Sequence, residues 1–500
     1  MSPQHEVNLN QWEPPMEQPP VPQPPQAPTT AAERPARSPN PTPAVKGPQA
    51  SSEPPRTLNE LRAVEPEEHE VFTHNAALER LWNIAVEKSV SPWGVLGVAL
   101  AYTAAATEPT LRLPPLVGGE ASLNLLVGLV GESGAGKGAS MSVVKDSMTF
   151  AAGGFTIGGL EERPLGSGQG LAEVFKPPVG ASEDETPPPP VTRALFEATE
   201  IDGLAATTKQ RGSNLMSVLR KVYSGENPGN MNASKETTRN VPGHSYRAVL
   251  VCGIQPKRSL PLLTDEEADG GTPQRWLWFD TRPYPISQRR ADKNLLGQFH
   301  VALPTAAGNQ AVEHVGVPQV ARDTTKKLRT DYLEGTTPAG SLQGHQNLTR
   351  LKVMALLALM DGRDQATERD WDIAGLVIDR SEMNMRRCQR ALNEAVAKRA
   401  ERKAEEQGHY AEAKEQAMLK RARQAVLNWL TRKFEEDKAN GVSDPGWRRD
   451  TGRGGLLQGM RGTMKDGAAE VLPTLVDEGA VLRETTTNDG VHRDWFRIVS

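Results

Sequence analysis

The feature that most constrains this chain is an apolar run that leads directly into a glycine-rich loop. Residues 123–130 read Leu-Asn-Leu-Leu-Val-Gly-Leu-Val, and residues 131–137 read Gly-Glu-Ser-Gly-Ala-Gly-Lys. A short apolar run bounded by glycines is typical of a buried parallel strand. A helix is expected after the loop, and further strand-like runs occur at 191–197, 248–254 and 276–279. Strands that alternate with helices predict an α/β fold with the loop at the end of a central sheet.

The loop matches the pattern G-x-x-x-x-G-K-[ST] as far as its lysine. Glycines let backbone N–H groups converge on phosphates, and the following helix adds the partial positive charge of its N-terminus. Lys137 would reach the β- and γ-phosphates as a point charge. We therefore expect ATP to bind at Gly131, Glu132, Ser133, Gly134, Ala135, Gly136, Lys137, Gly138 and Ala139.

The residue at the last position of this pattern does not match it. Gly138 occupies the place at which Ser or Thr normally ligates Mg²⁺. Either Ser140, two residues later, reaches the metal through an altered geometry, or water replaces the missing hydroxyl. ATP and Mg²⁺ are the expected cofactors, and the departure concerns hydrolysis more than binding.

Residues 191–202 contain the acids that ATP hydrolysis needs. An apolar strand runs into Glu197, Glu200 and Asp202. A carboxylate at a strand end polarises the attacking water and helps to hold Mg²⁺. We assign Glu200 to both tasks, with Asp202 or Glu197 as the second acid.

From these motifs onward the chain resembles AAA+ helicase-type P-loop ATPases, especially the minichromosome-maintenance family and related ATPases of phages and mobile elements. Residues 231–239 lie at the place of that family's DNA-contacting hairpin, which implies that Lys235 and Arg239 bind DNA phosphates. Residues 250–256 resemble the family's sensor strand, with Gln255 in place of the usual Asn. The resemblance covers roughly residues 120–380.

The same resemblance implies sites that are shared between subunits. Residues 271–279 resemble the family's Ser-Arg-Phe segment, so Arg275 would be an arginine finger that reaches a neighbour's ATP. Arg350 would be the second sensor in a helical lid, although the register equally allows His345. The implied assembly is a homo-oligomer, a hexameric ring, with ATP between subunits.

Each of these residues also fits a purely structural role. Gln255, followed by proline, can simply end a strand. Arg275 stands beside two tryptophans and can form a cation–π contact in the core. Lys235 and Arg239 can belong to a solvated charge run.

The C-terminal residues 424–500 show the order helix, helix, hairpin. A short amphipathic helix at 468–476 precedes two strand-like runs that flank the turn Asn488-Asp489-Gly490. This order resembles a winged helix, which places one helix near the DNA major groove and the hairpin on the backbone. The alternative is a winged helix that packs only on protein. Basic residues that would bind DNA phosphates are Arg448, Arg449, Arg453, Arg461, Lys465 and Arg493.

Composition limits the class of protein. A formal charge of -4 gives no general attraction to nucleic acid, so DNA contacts must come from local patches. The two cysteines, Cys252 and Cys388, exclude a disulfide scaffold and fit a reducing compartment. Residues 90–106 are apolar but shorter than the roughly 20 residues that span a bilayer, which indicates a buried helix. We expect a cytoplasmic protein without a membrane segment.

Composition also divides the chain. Residues 1–56 hold 16 of the 40 prolines and are expected to be disordered. Residues 382–423 contain eleven basic and seven acidic residues, which predicts a long exposed helix, broken at Gln407-Gly408. The expected domains are a Pro-rich tail (1–56), a helical N-terminal region (57–118), a P-loop ATPase core (119–300), a helical lid (301–381), the charged helix (382–423) and a winged helix (424–500).

The function that the sequence favours is an ATP-dependent DNA motor, a replicative helicase of a phage, plasmid or integrated element acting on single-stranded or forked DNA. The alternative is an initiator or loader that binds ATP as an assembly switch with little or no hydrolysis, which Gly138 favours. A small-molecule kinase is a third possibility, but it needs neither an intersubunit arginine nor a DNA module.

Overall fold

The computed structural model describes residues 54–158, 160–178, 188–201, 203, 215–229, 239–281, 284–304, 314–337, 343–460, 462–488 and 491–499. In these parts of the chain the helices are α1 (Pro66–Phe72), α2 (Ala76–Glu87), α3 (Pro92–Ala106), α4 (Lys137–Ser147), α5 (Gly168–Val174), α6 (Leu215–Ser224), α7 (Asp265–Asp269), α8 (Gln319–Leu333), α9 (Gln343–Met360), α10 (Glu368–Ala439) and α11 (Thr463–Asp477). The strands are β1 (Arg112–Leu113), β2 (Ala121–Ser122), β3 (Leu125–Val130), β4 (Met148–Ala152), β5 (Phe155–Thr156), β6 (Glu162–Pro164), β7 (Arg193–Ala198), β8 (Arg247–Ile254), β9 (Trp276–Asp280), β10 (Phe299–Leu303), β11 (Arg448–Arg449), β12 (Val481–Asn488) and β13 (Val491–Ile498).

The central element is a five-stranded parallel sheet with the order β6-β7-β8-β3-β9. Strand β3, which leads into the glycine-rich loop, pairs with β8 on one side and β9 on the other. Leu126 is level with both Leu250 and Trp276. The prediction of an α/β fold around a parallel sheet is therefore confirmed. Smaller sheets are formed by β1-β2, by β10-β4-β5 and by β11-β13-β12.

Helices cover both faces of this sheet. All six residues of β3 are buried, as expected for a parallel strand that is packed on both sides. Leu125 and Val127 belong to an apolar cluster that includes α2, α3 and α9, whereas Leu126 and Val130 belong to a second cluster with α5 and α6. Because successive side chains of a strand point to opposite faces, this apolar run supplies both clusters.

Helix α3 forms part of the first of these layers, and all of its residues are buried. Two glycines let it approach the sheet closely. A Cβ atom at Gly97 would lie 2.4 Å from the Phe279 ring, and one at Gly94 would lie 2.7 Å from Thr281 Cγ2. The predicted helical N-terminal region thus packs directly on the central sheet. Among the helices that the structure describes, none has the length and apolar character to cross a membrane.

Helix α10 differs from the sequence prediction. It runs without interruption from Glu368 to Ala439, so the break expected at Gln407-Gly408 is wrong, and the predicted domain boundaries after 381 and 423 fall inside one helix. A single glycine costs only about 1 kcal/mol in a helix interior, and the surrounding Ala, Glu, Lys and Arg residues favour helix. Residues 396–417 are all exposed, which at 1.5 Å per residue is a span of about 33 Å.

The first part of α10 covers the free edge of β9. The Ser381 hydroxyl accepts a hydrogen bond from the Trp278 backbone N–H at 2.8 Å, and the Asn384 amide donates to the Trp278 carbonyl at 3.0 Å. These bonds satisfy strand groups that would otherwise lack partners. Arg380 contacts the Asp280 carboxylate at 3.3 Å, at the end of the strand.

The last part of α10 carries the C-terminal module, which consists of that helix end, β11, α11 and the β12–β13 hairpin. Its own apolar cluster includes Val426, Leu430, Leu472, Val481 and Phe496. The predicted helix and hairpin are both present, and a short third strand, β11, pairs with β13. Residues 489 and 490, at the predicted turn, lie outside the residues that the structure describes.

Candidate nucleotide-binding site

The glycine-rich loop connects β3 to α4 at the carboxyl edge of the sheet. The Gly131 N–H donates to the Ile254 carbonyl at 2.9 Å, which fixes the start of the loop against β8. Gly134 and Gly136 have φ values of +79° and +82°, a conformation that disfavours other residues. Helix α4 begins at Lys137. Two glycines in the left-handed conformation followed directly by a helix N-terminus form the kind of backbone arrangement that binds an anion.

Close packing holds the base of this loop. A Cβ atom at Gly131 would lie 2.4 Å from Thr281 Oγ1 and 2.7 Å from the Ala135 side chain. The Thr281 N–H also donates to the Val130 carbonyl at 2.9 Å. The outer part of the loop, residues Glu132, Ser133 and Gly134, is exposed. The loop is thus anchored at its base and accessible at its tip.

The Lys137 ammonium folds back onto the loop. It donates to the carbonyl oxygens of Gly131 at 2.9 Å and Glu132 at 3.0 Å. A phosphate oxyanion is a stronger acceptor than a neutral carbonyl because the hydrogen bond is then charge-assisted on both sides. The ammonium is therefore placed at the loop and can exchange these carbonyls for phosphate oxygens.

Gly138 and Ser140 lie in different environments, the first exposed and the second buried. A Cβ atom at Gly138 would meet nothing within 4 Å, so this position faces open space. Ser140 is completely buried, and its hydroxyl donates to the Gly136 carbonyl at 3.1 Å while it packs towards Gly94. The structure thus directs the Ser140 hydroxyl into the protein, away from the open side of α4. Of the two alternatives for Mg²⁺, a water in place of the hydroxyl fits this geometry.

The predicted water-activating acid lies beside the predicted sensor residue. Glu200 follows the end of β7 and Gln255 follows the end of the adjacent strand β8. The Gln255 amide nitrogen lies 2.7 Å and 2.6 Å from the two carboxylate oxygens of Glu200. Glu197 lies within β7, before the strand ends, and Asp202 lies outside the described residues.

Gly253 brings this pair next to the glycine-rich loop. A Cβ atom at Gly253 would lie 2.1 Å from the Thr199 carbonyl oxygen and 3.2 Å from Lys137 Cε. Lys137 and Thr199, the residue before Glu200, thus both lie against Gly253, which has no side chain to separate them. The neighbouring Cys252 thiol has a raised pKa because it is buried; the Glu200 charge adds to the shift and the Lys137 charge opposes it. Sequence reasoning missed Gly253, although a glycine inside a buried strand indicates a close approach.

Arg275 lies at the opposite edge of the sheet. It precedes β9, and the register places the first residue of β9 level with Leu126 of β3. The loop begins five residues after Leu126, so at about 3.3 Å per residue the start of β9, directly after Arg275, is on the order of 17 Å from it. The Arg275 guanidinium donates to the Gly270 carbonyl at 2.7 Å. Burial, together with the charge of Arg275, lowers the pKa of His345 to about 4.

Arg350 is held between α9 and α10. Its Nε and Nη2 atoms donate to the Trp371 carbonyl at 3.2 Å and 2.9 Å, and its guanidinium stacks 3.7 Å from the centroid of the Trp371 ring. A Cβ atom at Gly375 would lie 2.7 Å from this guanidinium. These contacts connect α9 and α10 and direct the guanidinium to Trp371.

The ends of the predicted DNA hairpin lie together. A Cβ atom at Gly229 would be 1.8 Å from the Arg239 carbonyl oxygen, and the amides of Asn227 and Asn240 are joined at 2.8 Å. The chain therefore leaves and returns at one point. Residues 230–238, with Lys235, lie outside the described residues. Arg239 forms an ion pair with Glu173 at 2.6 Å.

The basic residues of the C-terminal module have different surroundings. Arg448 makes two hydrogen bonds to the Asp437 carboxylate, at 2.8 Å and 2.7 Å. Arg449 lies 5.7 Å from the centroid of the Trp495 ring. Arg453, Lys465 and Arg493 are exposed. Arg461 lies outside the part of the chain that is described.

No protein-family model and no curated protein matches this chain. The residues that the structure describes contain no group of three or more His, Cys, Asp or Glu residues arranged to hold a metal ion. A Mg²⁺ ion that binds together with a nucleotide relies on one or two carboxylates, the phosphates and water, and does not need such a group.

Proposed function

We propose that this protein is a P-loop ATPase that acts on DNA as a ring-forming motor, a helicase of the replicative type. ATP binds at the loop 131–139 at a subunit interface, and residues 231–239, through Lys235 and Arg239, contact the DNA strand. The proposal rests on local chemistry and on the resemblance of residues 120–380 to AAA+ helicases.

One observation carries the proposal: the glycine-rich loop, Lys137 and the Glu200–Gln255 pair all meet at one edge of the parallel sheet. They come from three strands, β3, β7 and β8, that are adjacent in the sheet although far apart in the chain. Lys137 supplies a positive charge for the phosphates. Glu200 is an acceptor for a proton of the attacking water, and Gln255 orients that carboxylate.

The open space beside Gly138 fits a hydrated Mg²⁺ ion. Among the residues that the structure describes, Glu200 would help to hold this ion, and the phosphates and water would be the other ligands. Bound Mg²⁺ would neutralise charge that develops on the phosphates.

The position of Arg275 supports a shared site. It precedes the start of β9, which is about 17 Å along the sheet from the loop, and this distance prevents contact with the loop of its own chain. A repeated head-to-tail interface closes into a ring and brings one subunit's amino edge to the next subunit's carboxyl edge. Arg275 then stabilises negative charge on a neighbour's ATP, as expected of an arginine finger.

The alternative, an ATP-switched initiator or loader, is favoured by two observations. Gly138 offers no hydroxyl to the metal, and both Glu200 oxygens are engaged by the Gln255 amide. A site in this state binds ATP but activates water slowly. A switch of this kind would oligomerise with ATP and show little hydrolysis or strand separation.

Two substitutions test the ATPase proposal. Lys137→Ala removes the phosphate cation and is expected to abolish ATP binding, measured with a fluorescent ATP analogue. Glu200→Gln keeps the shape of the side chain but removes its basicity, so ATP binding should persist while turnover falls by about 10²- to 10⁴-fold. Glu405→Gln, on the exposed stretch of α10, is the matched control for the loss of an acid. Wild-type turnover in both Lys137→Ala and Glu200→Gln would remove the assignment.

DNA-stimulated hydrolysis separates motor from switch. A motor unwinds a forked duplex with ATP, and the Glu200→Gln variant does not. A protein that binds ATP and DNA, forms rings with ATP and leaves the fork intact would be the switch.

A further inference from the structure

The exposed surface of α11 is acidic. This helix occupies the position at which a winged helix would read the major groove. It carries Lys465, but also Asp466, Glu470 and Asp477 on its exposed side. Glu478, directly after the helix, pairs with Arg423 at 2.6 Å. The described exposed side of this helix thus carries one cation and three anions. Such a surface repels DNA phosphates.

The three-stranded sheet β11-β13-β12 offers the opposite charge. Val481 and Phe496 are buried, so the residues that alternate with them in the strands form the outer face. The outer-face residues of the three strands away from the hairpin turn, together with the residue before β11, are Trp447, Arg449, Leu482, Glu484, Thr486, Arg493, Trp495 and Arg497, and Val491 lies on the same face next to the turn. Three arginines and one acid lie on this face.

Tryptophan and arginine alternate across these strands. Arg449 is directly opposite Trp495 and lies 5.7 Å from its ring centroid. Arg497 lies 4.9 Å from the Trp447 ring centroid and pairs with Asp444 at 2.6 Å. Both indoles are partly exposed, and neither belongs to the apolar cluster of the module. The face therefore presents flat aromatic and guanidinium groups together with positive charge.

We propose that this outer face of the C-terminal sheet, rather than α11, binds nucleic acid, and that its ligand is a single strand whose bases stack on Trp495 and Trp447. The inference rests on the proposed action on DNA and adds the type of strand and the surface that holds it. Arg449, Arg493 and Arg497 contact the phosphates.

The need for base stacking favours a single strand over a duplex as the ligand of this face. Indole rings and guanidinium planes bind the faces of bases, and in a duplex those faces are covered by neighbouring base pairs. Helix α11, the element suited to a duplex groove, has the wrong charge. The exposed stretch of α10 also leaves this module about 33 Å of helix away from the core, so a strand can reach the face.

The test measures binding of the full-length protein to a labelled 20-nucleotide oligothymidylate, to the equivalent oligouridylate and to a duplex of equal length, without ATP. Trp495→Ala is expected to weaken single-strand affinity at least about fivefold, the lower range for loss of one stacked base. Trp495→Phe should retain most of the affinity. Arg493→Gln should make the salt dependence less steep, by about 0.7 in the log–log slope.

Lys465→Gln on α11 is the matched control for the loss of one exposed cation, and it is expected to bind as the wild type does. Thermal melting of each variant shows that the module is folded, and Arg493→Gln remains decisive if Trp495→Ala is not. Preference for duplex together with a stronger effect of Lys465→Gln than of Arg493→Gln would overturn the inference. Equal binding by all variants would also overturn it, whereas a wild type that binds no nucleic acid would overturn the motor proposal as well.

Discussion

Gly253→Ala is the most direct perturbation of the proposed site that leaves its chemical groups intact. Gly253 has no positive φ, so alanine can adopt its backbone conformation. The new methyl group would lie 2.1 Å from the Thr199 carbonyl oxygen. Ordinary contact begins near 3.4 Å, so the two groups must separate by 3.4 minus 2.1, or about 1.3 Å. Because Glu200 follows Thr199, the carboxylate moves away from Lys137.

The expected size of the effect follows from this displacement. A misplacement of about 1 Å at a reacting group costs on the order of 10²-fold in rate. One extra methyl group in a packed interior costs roughly 1–3 kcal/mol of folding stability. We therefore expect kcat to fall about 100-fold while the protein remains folded and ATP affinity, which depends on the loop and Lys137, changes little.

The assay compares steady-state ATP turnover, binding of a fluorescent ATP analogue and urea unfolding for Gly253→Ala and the wild type. Gly119→Ala is the matched control because a Cβ atom at Gly119 meets nothing within 4 Å. Turnover of Gly253→Ala within about threefold of the wild type, with the methyl group accommodated, would refute the idea that this close approach positions Glu200.

Three further predictions concern other parts of the same arrangement. Lys137→Ala and Arg275→Ala should each be inactive alone, but an equal mixture should recover about one quarter of wild-type turnover, because one interface in four then combines an intact loop with an intact arginine; no recovery on mixing would exclude a shared site. Gly138→Ser adds a hydroxyl on the open side of α4 and should lower the Mg²⁺ concentration for half-maximal turnover; an unchanged Mg²⁺ titration would place the metal elsewhere. Burial beside Arg275 lowers the pKa of His345 from 6.5 to about 4, so the unfolded chain binds a proton that the native state does not, and native stability falls as pH decreases from 6.5 to 4. His345→Gln should remove up to about 3 kcal/mol of this loss, measured by urea unfolding at several pH values, and an identical pH profile would contradict it.

Local sequence order predicted much of the candidate site. The strand before the loop, the helix after it and the two neighbouring strands were all identified from apolar runs and glycines. Gly134 and Gly136 have the positive φ that a phosphate loop needs, and Glu200 and Gln255 follow strands as expected. These features depend on residues within one strand or turn, where pattern and conformation are directly linked.

Other features could not be read from local patterns. Ser140 was one of two options for the metal, and only the packing of α4 on α3 shows that its hydroxyl is buried. The break expected near Gly408 is absent because neighbouring helix-forming residues outweigh one glycine. The acidic side of α11 becomes visible only when burial separates its exposed residues from its core residues.

The sequence by itself determined that the chain forms a parallel sheet with a glycine-rich loop after one strand, since apolar periodicity and glycine positions act over a few residues. The tertiary structure decided which strands are neighbours, and therefore that Gln255 holds Glu200, that Gly253 lies against Thr199 and Lys137, and that Arg275 is at the far edge. It also decided which face of the C-terminal sheet carries Trp495 and Arg493. The physical reason is that strand order and helix packing are set by the total burial of apolar surface across the whole chain, which no local pattern contains.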